Sequence, residues 1–382
     1  MIAASDPRQR RPEARLLVVD GEGELRHFPR SHLVSVLRPG DLLVANDAAT
    51  LPASLVGHHV PSGDFVEVRL AGRRSMAWDD VRAFTAVVLG PGDHTTPTER
   101  RPDPPPLSPG DDLTLGPLRA TVTHVSPHPR LVTVSFHGSP GEVWDGIGRH
   151  GAPIQYAHVP TPLSIWDTWT RVAAQPVSFE APSASFVVDW ALLASLEGRG
   201  IQFGSLTHAA GLSSTGDPAI DALLPFDEAY RIPASLVRAI HSTRVAGGRV
   251  VALGTTVTRA LEHAASNGGL RPGTGVADQR IGPSTELQVV DAIVSGVHDV
   301  QDSHYDLLRA FVGGDVLDRM TEELTTEGYL SHEFGDSVLV QRKEGRSALR
   351  RVFGGPVTLA GDPFRGHRGR SSVRQFGEKP SA

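Results

Sequence analysis

The chain of 382 residues carries 37 Lys and Arg against 43 Asp and Glu, a formal net charge of −6 at pH 7. That length accommodates two domains with separate cores, and the acidic balance excludes a protein that grips nucleic acid with its whole surface. The absence of cysteine excludes disulfides, thiolate metal sites and a cysteine nucleophile, and no apolar run reaches the roughly 20 residues that span a bilayer.

Met1 to Arg15 is polar and charged rather than a secretory leader, so a cytoplasmic location and no membrane partner are expected. Arg15-Leu-Leu-Val-Val-Asp20 reads as a strand closed by the turn Asp20-Gly-Glu-Gly23. Pro39-Gly-Asp41 is a second turn, feeding a strand from Leu42 to Asn46. From Phe65 to about Gly138 short strands follow one another, among them Phe65 to Leu70, Arg119 to Val125 and Arg130 to Phe136. Their period-two alternation predicts a small antiparallel barrel or sandwich, with the proline-rich, charged stretch Pro91 to Asp112 as an exposed loop. His58 and His59 are adjacent rather than one helical turn apart, which argues against a metal site there.

After Trp144 the pattern turns to strands alternating with helices, which implies a mixed or parallel sheet covered by helices. Trp190 to Leu196 reads as a helix, Ile201 to Leu206 as a strand, and Pro233 to Val245 as a helix with proline in its first turn. The apolar run Val250 to Leu253 stops at Gly254, after which Val257, Ala260, Leu261 and Ala264 recur at helical spacing. A strand at Leu287 to Val294 and a helix from about Ser303 to Val312 complete the series. The predicted fold class is an α/β main domain with a mixed sheet, plus an inserted small antiparallel β-barrel domain. Residues 14–60 and 145–341 are assigned to the first and 61–144 to the second. Residues 342–382, with ten Lys and Arg against three Asp and Glu, read as a basic, flexible C-terminal tail.

Two places carry candidate chemistry. A strand, tight turn and helix start at Gly254-Thr255-Thr256 expose unpaired N–H groups and a positive dipole end, which suits a carboxylate or phosphate; the same residues also fit an ordinary capped turn. Ser295-Gly-Val-His298 leaves the C-terminal end of a strand, where open α/β sheets bind ligands. His298 there is either an acid/base group or one surface histidine among seventeen. His208 and the pair Asp227-Glu228 are weaker candidates of the same kind.

Several blocks keep a common order and spacing: Pro39-Gly-Asp-Leu-Leu-Val-Ala-Asn-Asp47, Leu51-Pro-Ala53, Ala181-Pro182, Gly254-Thr-Thr-Val-Thr-Arg-Ala-Leu-Glu262, Val290-Asp-Ala-Ile293, His298 and Gly335-Asp336. Through them the chain, from about residue 14 to 341, resembles the S-adenosylmethionine:tRNA ribosyltransferase-isomerases of the queuosine pathway. The resemblance implies a transferase and isomerase that moves the ribosyl part of S-adenosylmethionine onto a 7-deazaguanine base in tRNA, releasing adenine and methionine. It implies S-adenosylmethionine as the substrate, tRNA as the partner and no metal. By carry-over Gly254, Thr255, Thr256 and Arg259 line the cofactor side, with Ser183, Asn46 and Asp47 in the matching blocks, and His298 sits at the reacting centre.

The same resemblance exposes departures. Where the family has Thr-Arg-Val-x-Pro-Ala-Arg, this chain has Ala48-Ala-Thr-Leu-Pro-Ala-Ser54, without the two arginines that suit bidentate phosphate contacts. The family's Leu-His-Val-Gly becomes Leu206-Thr-His-Ala209, its Ala-Gly-Leu-His-Phe becomes Ala184-Ser-Phe-Val-Val188, and its Tyr-Arg-Phe-Phe-Ser-Tyr-Gly-Asp becomes Tyr329-Leu-Ser-His-Glu-Phe-Gly-Asp336. These changes weaken the expected grip on tRNA and leave two alternatives. One is a divergent paralogue acting on a small-molecule acceptor, with His208, Asp227, Glu228, His298, Asp299 and His304 as its acid/base groups. The other is a non-catalytic homologue.

Overall fold

A computed structural model describes residues 1–266, 268–300 and 303–343; apart from Arg342 and Lys343, the expected basic tail lies outside them. Its frame is a mixed sheet of nine strands. In chain order these are β1 (Arg15–Val19), β2 (Leu25–Pro29), β3 (Leu42–Asn46), β4 (Gln202–His208), β5 (Glu228–Ile232), β6 (Val250–Leu253), β7 (Gly273–Ala277), β8 (Ala292–Gly296) and β9 (Ser337–Gln341). Their order across the sheet is β7-β5-β4-β3-β6-β8-β9-β1-β2. The four middle strands β4, β3, β6 and β8 run parallel to one another, while β5 and β9 flank them antiparallel.

The buried strands explain their own sequences. All five residues of β3 and all four of β6 are buried, as expected of parallel strands covered on both faces. Alternate side chains supply two cores. Leu42, Val44, Val250 and Ala252 pack on one side with the helices α1 (Ala234–Val245) and α2 (Thr255–Ser266). Leu43, Ala45, Val251 and Leu253 pack on the other with Leu192 and Leu196 of the helix Trp190–Gly198.

Between β3 and β4 the chain builds a closed six-stranded antiparallel barrel from Ser54–His59, Phe65–Gly72, Phe84–Leu89, Asp112–Leu115, Leu118–Val125 and Leu131–Phe136. Ser54–His59, which the sequence suggested for the α/β part, is a barrel strand because it pairs with both Phe65–Gly72 and Asp112–Leu115. The helix Pro140–His150, opened by a reciprocal Ser139–Glu142 cap, adds Val143 and Ile147 to the barrel core. No helix among the described residues is long and apolar enough to cross a membrane.

Three expectations shift. The strand expected at Leu287–Val294 begins only at Ala292, because the Glu262 carboxylate accepts the backbone N–H groups of Gln288, Val289 and Val290 at 2.6, 2.9 and 2.8 Å. A side chain there replaces a neighbouring strand. The helix expected at Ser303–Val312 ends at Leu308, and a second one, Gly314–Thr326, follows it. Pro233 stands before α1 as its N-cap instead of inside it.

Candidate functional site

The four parallel strands end together at Asn46, His208, Leu253 and Gly296. A cavity of about 370 Å³ adjoins this edge, and its walls include Ser183, Glu228, Gly254, Thr255, Thr256, Arg259 and His298. The turn out of β6 depends on Gly254, which has φ of +93° and faces the Ala184 methyl: a Cβ at Gly254 would lie 3.1 Å from it. Glycine alone takes that conformation without strain. The Gly254 N–H donates to Val294 O at 2.8 Å, so the first turn of α2 is tied to the end of β8 and its N-terminus meets the cavity.

Asn46, Asp47 and His208 are not among the lining residues. Asn46 is fully buried. Its amide donates to His208 O at 2.9 Å and to Thr256 Oγ1 at 3.4 Å, and its Oδ1 accepts from the His208 and Ala48 N–H groups. Asp47 accepts from Ser205 and Thr207 hydroxyls at 2.9 and 2.7 Å, which fixes β4 and is not part of the cavity lining. Arg259 reaches the cavity wall, yet its guanidinium donates to Glu228 and to the carbonyls of Phe226, Ala277 and Gln279. Glu228 also accepts from Gly211 N–H at 2.5 Å. The Arg259–Glu228 pair is therefore a buried brace between α2 and β5. His208 lies wholly buried with Nε2 3.5 Å from Glu228 Oε2. Burial pushes its imidazole down to about 4, helped by the Arg259 charge and opposed by Glu228, so it is neutral at pH 7. Asp227 instead pairs with Arg74 at the surface.

Of the further lining groups, His298 is expected from the sequence, His304 only under the small-molecule alternative, and Glu180 and Glu333 not at all. The His298 and His304 rings stack at 4.3 Å, and both line the cavity. Glu180 and Glu333 line it too. Burial, with Glu333 adding to it, pushes the Glu180 carboxyl up to about 8 against the hydrogen bonds from Ser213 and Tyr156. Burial would also raise Glu333, but the hydrogen bond from His158 and the charges of His158 and His332 hold it at about 2. The sequence signal at His332-Glu333 is their departure from the family's aromatic and serine residues. Asp299 lies 3.8 Å from His332 Nε2.

Comparison with known proteins gives the family of the chain. Residues 1–340 match the family described as queuosine biosynthesis protein. The S-adenosylmethionine:tRNA ribosyltransferase-isomerase of Acaryochloris marina is 32% identical over 355 residues, covering 88% of this chain and 89% of that protein. The protein of the same name from Thermosynechococcus vestitus is 31% identical over 343 residues, with coverage of 88% and 92%. The solved S-adenosylmethionine tRNA ribosyltransferase of Thermotoga maritima is 22% identical, covers 88% of this chain and 96% of its own, and superposes with a TM-score of 0.48. With the family match extending over nearly the whole chain, the protein belongs to the queuosine biosynthesis protein family.

Proposed function

We propose that this protein binds S-adenosylmethionine in the cavity at the sheet edge and transfers and isomerises its ribosyl group onto a 7-deazaguanine base of tRNA, in the cytoplasm. The observation that carries this reading is the β6–Gly254–α2 turn, whose helix N-terminus opens on the same cavity as His298 in a chain that matches relatives of that name over most of its length.

The chemistry of the substrate fits the walls. S-adenosylmethionine offers a carboxylate, for which the N–H groups and dipole at Thr255 and Thr256 are a seat. Its sulfonium acidifies neighbouring C–H bonds and makes a leaving group, so the reaction needs a group that takes up and returns a proton. Histidine is the side chain suited to that near neutral pH, and His298 is the one assigned to it here. Ser183 borders the same space. Asn46, Asp47 and His208 then act by holding the strand ends in place, while Glu228 and Arg259 brace α2 from the cavity wall.

A weakened hold on tRNA and a divergent site belong to the same proposal. At the two positions where the resemblance calls for arginine, Ala49 is buried in the short strand Ala48–Thr50, and the Ser54 hydroxyl donates to Glu67 at 2.8 Å inside the barrel. Neither supplies the bidentate phosphate contact of an arginine. The test is release of adenine and methionine from S-adenosylmethionine by the purified full chain. Release that requires tRNA bearing the aminomethyl-deazaguanine precursor is expected; release without RNA, or only with a small acceptor, overturns the assignment.

A further inference from the structure

We infer that His158, His332 and Glu333 form a binding site for a divalent metal ion of the zinc class at the rim of the cavity. One ligand atom from each of the three residues lies within 4.8 Å of the others. His158 Nε2 and Glu333 Oε2 are 3.2 Å apart. Bonds of about 2.0–2.2 Å in a tetrahedral shell put neighbouring donors roughly 3.3–3.5 Å apart, so this edge already has the size the ion needs. The third donor lies within 4.8 Å of both.

The donor set is that of a zinc or ferrous centre: two imidazoles and one carboxylate, with no thiolate. An ordinary ion pair would explain one histidine beside Glu333. The second ring stacks on the first at 4.6 Å and 21°, with its Nε2 3.8 Å from Asp299. Each ring offers a nitrogen that can bind an ion.

The backbone holds this arrangement at some cost. His332 has φ of +68°, a left-handed conformation that non-glycine residues seldom adopt. Its N–H donates to Val297 O at 3.0 Å, and its carbonyl accepts from Gly335 N–H at 2.9 Å. Other polar groups stand next to the three residues. Asp299 Oδ2 lies 3.8 Å from His332 Nε2, and the Tyr156 ring stacks on His158 with its hydroxyl bonded to Glu180. Glu333 lines the cavity, so an ion here would have an open position toward it, as catalytic sites do and closed structural sites do not.

This site stands independently of the proposed reaction and runs against the sequence expectation of no metal. The test uses the full chain, stripped with a chelator and titrated with zinc chloride by calorimetry. One ion per chain is expected, with affinity reduced at least about tenfold in His158→Ala and in Glu333→Gln and unchanged in His58→Ala in the barrel. Cobalt(II) on the wild-type protein is a second reading that needs no variant. A visible spectrum of four- or five-coordinate cobalt with nitrogen ligands is expected. Absence of stoichiometric zinc binding, a spectrum resembling hydrated cobalt, or equal affinity in folded ligand variants overturns the proposal.

Discussion

The Asn46 side chain closes a two-way hydrogen-bonded link with the His208 backbone, its amide donating to the carbonyl and its Oδ1 accepting the N–H, each at 2.9 Å. The same amide reaches Thr256 Oγ1, so one buried side chain ties the ends of β3 and β4 to the first turn of α2. Replacing Asn46 by Ala removes the side-chain acceptor of the buried His208 and Ala48 N–H groups, which costs roughly 1–3 kcal/mol. We expect Asn46→Ala to lower the denaturant midpoint and to weaken S-adenosylmethionine binding by calorimetry. Wild-type stability with lost binding would mean that Asn46 contacts the ligand itself.

Arg259 and Glu228 make the second prediction. Both are buried, and removing one member of such a pair strands the other charge, at about 3–5 kcal/mol. Arg259→Met and Glu228→Gln should each destabilise the fold strongly, and the double variant should lose less than the sum of the two. Urea unfolding of the three variants measures this. Additive losses would show that the two side chains act separately.

His208 predicts a pH dependence. Its imidazole protonates near 6.5 in an unfolded chain but only at about 4 in the fold, where burial and the Arg259 charge outweigh Glu228. Between those values the unfolded chain binds more protons, so stability rises with pH there and falls as pH drops from about 6.5 toward 4. The full effect is on the order of 3 kcal/mol. Unfolding midpoints of the wild type and His208→Gln at pH 7, 5.5 and 4.5 measure it. A shallower pH slope is expected in the variant; parallel slopes would contradict the buried, neutral histidine.

Much of the frame was legible because local pattern and burial agree. The continuous apolar runs at Leu42 and Val250 mark central parallel strands, and Gly254 marks the turn between β6 and α2. The start of β8 was illegible because Glu262, a distant carboxylate, satisfies the backbone at Gln288 to Val290, and no local pattern reports that. The candidate site divides in the same way. The helix N-terminus and His298 follow from chain position alone. That Asn46, His208, Glu228 and Arg259 are internal braces depends on which polar groups meet across strands. The wall of Glu180, His158, His332 and Glu333 joins segments more than a hundred residues apart, which spacing along the chain does not reveal.

The central claim is that the cavity beside Gly254 and His298 passes a ribosyl group from S-adenosylmethionine to tRNA. S-adenosylmethionine labelled in its ribose, incubated with the protein and precursor-bearing tRNA, tests it most directly. The account predicts label in the RNA with the wild-type chain and none with His298→Ala at matched folding. Label confined to small molecules, or equal incorporation by the His298 variant, would contradict it.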